Sequence, residues 1–65
     1  MNFAENLRRI RRMKDYTMKD LSNLTLIDEY TISLCEANLY DPTLSQIISL
    51  ARTLKVSVSE LIGEV

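Results

Sequence analysis

Residues 17–38 read TMKDLSNLTLIDEYTISLCEAN, and the organisation of the whole chain follows from how this stretch is parsed. Thr17 stands three positions before Asp20, the spacing at which a hydroxyl and a carboxylate each take up an orphan amide at a helix start. Leu21 and Leu24 then recur at helical spacing, and Asp28 is placed to cap a second helix in which Ile32 and Cys35 share a face. The pattern predicts two short helices, roughly 18–25 and 29–37, separated by a tight turn at Leu26 and Ile27.

The same punctuation extends outward in both directions. Asn2 and Glu5, Thr43 and Gln46, and Ser57 and Glu60 repeat the cap spacing; the Ser57 pair is the closest match to a capping box, and Asp20 is a shorter substitute for Glu. Phe3, Leu7 and Ile10 form one apolar stripe, Leu44, Ile47, Ile48, Ala51 and Leu54 a second, and Leu61 and Ile62 a third. These add helices at roughly 3–14, 44–54 and 58–63, with Asp41-Pro42 as a turn because the residue before Pro avoids the α region. No strand signal, repeat or low-complexity segment competes, so the expectation is an all-α, compact five-helix domain spanning residues 1–65.

Composition narrows the function classes. At 65 residues, 46% hydrophobic and 26% charged, the chain has the make-up of one small globular domain, whose core is marginal enough that dimerisation would help it. No apolar run approaches the roughly 18 residues of a membrane helix. Arg8, Arg9, Arg11 and Arg12 interrupt the place where a signal peptide would be apolar, which reads as a cytoplasmic protein. With one Cys and no His the chain lacks an internal disulfide, a zinc ligand set and a neutral-pH acid-base group, so neither an enzyme, a metal, a cofactor nor a small-molecule substrate is expected. Charge is uneven beneath a net value of −1: residues 1–19 hold six basic side chains against Glu5 and Asp15, whereas residues 20–41 hold five acids and no base.

The segment from Tyr16 to Ile62, YTMKDLSNLTLIDEYTISLCEANLYDPTLSQIISLARTLKVSVSELI, resembles the Cro and phage-repressor type of helix-turn-helix regulator, the XRE family, and the match runs without a gap from about Leu7. Leu21, Ile27, Thr31-Ile32-Ser33, Pro42, Val56 and Leu61 all fall at the family's spacing. The resemblance implies a lambda-repressor-like fold with the helix-turn-helix motif at about 17–38 and the third helix in the DNA major groove. It further implies an ion pair between Arg11 and Glu36 joining the first helix to the third, and Cys35 as a core residue. Glycine is usual in the family at four junctions where this chain has Asp15, Leu26, Asn38 and Lys55. Asp and Asn tolerate a left-handed backbone, whereas at Leu26 a positive φ would cost roughly 1–2 kcal/mol, so that turn is either strained or follows another path.

The surface that would meet DNA is the unusual part. With Ile32 and Cys35 inward, the third helix presents Glu29, Tyr30, Ser33, Leu34 and Ala37, and carries no Lys, Arg, Asn or Gln to read purine edges. Glu29 can accept from cytosine, Tyr30 and Ser33 can reach phosphates, and Leu34 can touch a thymine methyl. Asp28 is partly neutralised by the amides it caps. Thr17 and Met18 stand where family members touch the DNA backbone, as do Asn38 to Tyr40 in the following loop; Tyr40 reads equally as a loop anchor. Arg8, Arg9 and Arg12 project opposite the first apolar stripe, as a solvated face that can steer toward nucleic acid or pair with an acidic partner.

Two functions fit. One is a small DNA-binding transcriptional regulator from a phage or mobile element, working on the nucleoid of a bacterial or phage-infected cell. It would bind a palindromic operator in double-stranded DNA as a homodimer through Val58, Ile62 and Val65. The other is the same fold turned to a protein partner, as in an antirepressor, antitoxin or inhibitor, using the patch at Tyr30, Leu34 and Ala37 with Glu29 on its rim.

Overall fold

The computed structural model describes residues 3–63, which form five α-helices: α1 (Phe3–Met13), α2 (Met18–Thr25), α3 (Glu29–Glu36), α4 (Leu44–Leu54) and α5 (Val58–Ile62). Among the described residues there is no strand. Helices α2 and α4 have the expected bounds, while α1, α3 and α5 each stop one residue early, as the chain turns to end the helix. The proposed cap at Asn2 lies outside the described residues.

Caps decide where each helix starts. Thr17 Oγ1 accepts from the Asp20 amide at 3.0 Å and Asp20 Oδ2 accepts from the Thr17 amide at 2.9 Å, a closed reciprocal box. Thr43 and Gln46 close a second one, at 3.2 and 2.9 Å. The ranking expected from residue type is reversed at Ser57, which accepts from the Glu60 amide at 3.0 Å but forms no reciprocal box; the Glu60 side chain stays exposed. Asp28 Oδ2 accepts from the Tyr30 amide at 3.1 Å, capping α3.

The ends are made by left-handed residues, and all four family glycine positions take that conformation here without glycine. Asp15, Leu26, Asn38 and Lys55 have φ of 61, 62, 62 and 59°. At Asp15, Asn38 and Lys55 the next amide reaches back five residues: Tyr16 N to Arg11 O, Leu39 N to Leu34 O, and Val56 N to Ala51 O, the signature of a Schellman end. The α2 end is different. Leu26 N donates to Ser22 O at 2.9 Å, but the Ile27 amide goes to the Thr25 hydroxyl at 3.2 Å, and that hydroxyl donates to Leu21 O at 2.6 Å. Buried Thr25 thus replaces a backbone bond and sets the path of the turn into α3.

Leu7 and Ile10 of α1, Leu21 of α2, Ile32 and Cys35 of α3, Leu50, Ala51 and Leu54 of α4, Leu61 of α5 and Ile27 from the turn make one core. Helix α1 packs on α3 and α5, α2 on α3 and α4, and α4 on α5. Of the residues assigned to apolar stripes, Phe3, Ile47 and Ile62 are only half-buried, and Leu24, Leu44 and Ile48 are exposed. Helices this short bury a narrower stripe than the sequence offers. The core also contains an amide. Asn6 is buried, its Nδ2 donating to Glu60 O at 2.8 Å and Leu61 O at 2.9 Å while Oδ1 accepts from Arg9 Nη2 at 2.7 Å. This ties α1 to the last turn of α5, where Glu60 O also accepts from the Gly63 cap amide at 3.3 Å.

Leu26 is 91% exposed, so its side chain contributes no burial to offset its backbone strain. Leu26→Gly relieves about 1–2 kcal/mol of steric cost and gives back part of it through the freer unfolded chain. The net expectation is a gain of roughly 0.5–1 kcal/mol, a rise of about 2–8 °C in Tm by calorimetry; a fall would contradict the left-handed turn.

Candidate nucleic-acid interface

The position of α3 is set from outside the motif. Arg11 Nε donates to Glu36 Oε2 at 2.6 Å and Nη2 to Glu36 Oε1 at 2.9 Å, a side-on, two-bond contact between buried side chains. The third arm, Nη1, donates to Tyr16 O at 2.9 Å in the α1–α2 turn. One planar guanidinium therefore holds α1, the entry to α2 and the last turn of α3 in a single geometry. The Glu36 hydrogen bond, reinforced by its charge and opposed by burial, raises the Arg11 pKa further above its ordinary value, so the cation is permanent. Arg8 Nη1 adds a bond to Glu36 O at 3.2 Å, placing positive charge at the carbonyl end of α3 where the helix dipole favours it.

Held in this way, α3 turns Glu29, Tyr30 and Ala37 to solvent, with Tyr30 70% exposed. Ser33 and Leu34 are only half-buried rather than fully outward, because they lie at the edges of the exposed row. The Ser33 hydroxyl donates to Tyr30 O at 2.6 Å, so its proton is committed and its oxygen is left to accept. Thr17 is exposed at the start of α2 and its oxygen caps Asp20, whereas Met18 is half-buried against the core. Asn38 is exposed in its left-handed turn. Tyr40 anchors its loop: its hydroxyl donates to Gln46 Oε1 at 3.1 Å, the same oxygen that closes the α4 capping box.

Two shallow clefts flank α3 and share no residue. On one side Met18, Ser33 and Ala37 meet Arg8, Arg11, Arg12 and Glu36 in a cleft of about 240 Å³. On the other, Asp28 and Thr31 face Ser45, Gln46 and Ser49 of α4 across Thr25, Leu26 and Ile27, in about 430 Å³. The sequence-derived candidates are thus divided: Met18 and Ser33 gather on the α1 side, Asp28 on the α4 side. Arg8, Arg9 and Arg12 do share one open face of α1 with Glu5 and Met13, as expected, with Arg8 half-buried and bonded to the end of α3 and Arg9 bonded to Asn6.

Cys35 is buried; desolvation first, then the charges of Glu36 and Asp41, push its thiol pKa up, which keeps it an unreactive core side chain. Of the proposed association surface, Val58 packs half-buried on the core and Ile62 is half-buried, while Val65 lies outside the described residues.

Residues 6–64 match the family model of the Cro/C1-type helix-turn-helix DNA-binding domain, and the chain belongs to that family. No match was found among curated proteins. The restriction-modification controller protein C.AhdI from Aeromonas hydrophila has a similar crystal structure, with a TM-score of 0.89 and 27% identity over 92% of this chain and 91% of that one. A hypothetical transcription factor, NHTF, from Neisseria gives 0.86 and 27% over 92% of this chain and 69% of that one. A transcriptional regulator from Listeria innocua gives 0.85 and 27% over 97% of this chain and 59% of that one. With the family and these neighbours, the chain is a small DNA-binding regulator of helix-turn-helix type.

The latch and the cap each predict a measurable response. Arg11→Met leaves the Glu36 carboxylate buried without its partner and is expected to cost about 3–5 kcal/mol in urea unfolding, whereas Arg11→Met with Glu36→Leu recovers most of it. At the α2 cap, the backbone and hydroxyl of Thr17 lower the Asp20 pKa below its ordinary 3.8. A depressed folded-state value stabilises above the unfolded value and is lost as pH falls through the folded one, so Asp20→Asn should flatten the decline of Tm below about pH 4.

Proposed function

We propose that two copies of this chain associate and set their α3 helices about 34 Å apart, one turn of B-DNA, to bind a palindromic operator as a transcriptional regulator. The observation that supports this most directly is the orientation of α3, whose exposed row is presented by a buried ion pair outside the helix. In this reading Glu29 accepts from a cytosine amine, Leu34 meets a thymine methyl, and Tyr30 and Ser33 border the backbone. Thr17 and Met18 approach phosphates from the start of α2, and Asn38 and Tyr40 from the loop after α3; Asp28 serves as the α3 cap at the rim. Val58 and Ile62, with Val65 beyond them, form the contact between copies. The neighbour that is a restriction-modification controller agrees with a role on a phage or mobile element, and the site of action is the bacterial nucleoid.

The acidic face of α3 makes the base contacts weak. A carboxylate ~5 Å from a phosphate costs about 0.8 kcal/mol in water and more where water is displaced. Selection of randomised duplexes at low salt, followed by a salt titration, is expected to return a two-fold symmetric site with a steep salt slope. Failure to enrich any sequence would overturn the proposal and favour a protein partner at Tyr30 and Ala37. Glu29→Gln tests the base contact: affinity should rise on random duplexes by about threefold or more, while preference for cytosine at one position per half-site is lost.

A further inference from the structure

Arg8, Arg9 and Arg12 of α1 together border an open depression with Glu5 and Met13, but their heads take different partners. Arg9 turns to the α5 side, with Nη2 on Asn6 Oδ1 and Nη1 3.3 Å from Met13 Sδ. Arg8 and Arg12 instead border the cleft that contains Met18, Ser33 and Ala37. Arg8 is held there by its bond to Glu36 O, and Arg12 is exposed with no hydrogen bond or ion pair among the described residues.

The chemistry of this cleft selects for an anion. Three arginines oppose one glutamate, and both oxygens of that glutamate are already taken by Arg11. Met18 and Ala37 offer no side-chain donor, and the Ser33 proton is committed to Tyr30 O. The uncommitted donors on the lining side chains therefore belong to Arg12 and to the remaining N–H groups of Arg8 and, deeper in the cleft, of Arg11, planar forks suited to a phosphate. They sit beside α3, which carries no positive charge of its own.

We propose that this cleft seats a DNA phosphodiester group, and that Arg8 and Arg12 of α1 supply the backbone contacts that α3 cannot. This rests on the DNA-binding reading above and assigns the charge that makes it work. A carboxylate-bearing protein surface is the competing occupant, and the cleft's position next to the outward row of α3 favours the duplex, which would meet both together.

The test measures affinity of the full chain for the selected duplex and for a random duplex across a salt series. Arg12→Gln is expected to weaken both by a similar factor and to reduce the slope of log K against log salt by about 0.9, one phosphate contact. Arg12→Lys restores the slope. Arg9→Gln, the same charge change on the same helix but outside the cleft, leaves the slope unaltered. Arg8→Gln behaves as Arg12→Gln, with Tm measured alongside because Arg8 also bonds α3. Equal losses in Arg9→Gln and Arg12→Gln, or an unchanged slope in Arg12→Gln on a duplex that the native chain binds, would overturn the cleft alone. A native chain that binds no duplex at low salt would overturn both this assignment and the reading on which it rests.

Discussion

The contact between Arg11 and Glu36 carries more of this structure than its two residues suggest. Helices α2 and α3 are eight residues each, too short to be stable alone, and they meet at a turn held by the side chain of Thr25. The carboxyl end of α3 needs a fixed partner if its exposed row is to be presented in one orientation. Three arms of one guanidinium provide it, reaching Glu36 twice and Tyr16 O once. A buried ion pair is not a strong net source of stability, because desolvation consumes much of the Coulombic gain. Its value here is geometric: the planar fork admits one arrangement of α1, the α2 entry and α3, whereas an apolar contact in the same place would tolerate sliding.

How far the fold can be read from the chain depends on how local its causes are. Caps lie within three residues of the amides they satisfy, so Thr17, Asp28, Thr43 and Ser57 mark helix starts in the sequence alone. The left-handed ends at Asp15, Leu26, Asn38 and Lys55 were legible through the family's glycine positions, although no side chain except Asp or Asn would suggest them. Stripes mislead at their edges: Leu24, Leu44 and Ile48 keep helical spacing with core residues, and which neighbouring helix covers a stripe's margin is not a local property. Asn6 was beyond reach for a stronger reason. Its partners are backbone carbonyls 54 and 55 residues away, and carbonyls have no sequence signature.

The candidate interface divides in the same way. That α3 would carry acid and no base is visible in its letters, and helical projection places Glu29 and Tyr30 outward. Ser33 and Leu34 lie at the edges of that row and are half-buried, a degree of cover that projection does not give. Projection likewise groups Arg8, Arg9 and Arg12 on one face, where they do border one depression, but it counts only angles and does not tell which acceptor each head takes. Long side chains choose partners, and the nearest acceptors, Glu36 O for Arg8 and Asn6 Oδ1 for Arg9, lie on opposite sides of α1.

This division resolves the charge paradox of the chain. A net charge of −1 and an acidic α3 argue against a polyanion partner only if charge acts as a sum. At physiological salt the screening length is about 8 Å, so a phosphate responds to the few groups beside it rather than to the molecule. Glu36 is neutralised by Arg11, Asp28 faces the start of its own helix, and Asp20 is held in a capping box. Among the acids of residues 20–41 on the two helices of the motif, this leaves Glu29 as the carboxylate without such a structural engagement. Glu29 stands in the first turn of α3, where the helix dipole favours a carboxylate, and in the proposed DNA complex its cost near a phosphate is modest enough to be offset by one guanidinium contact. Under the proposed DNA-binding reading, this arrangement would suit discrimination by a single acceptor at the centre, with attraction supplied from the flank, in place of a uniformly basic surface that would hold any sequence.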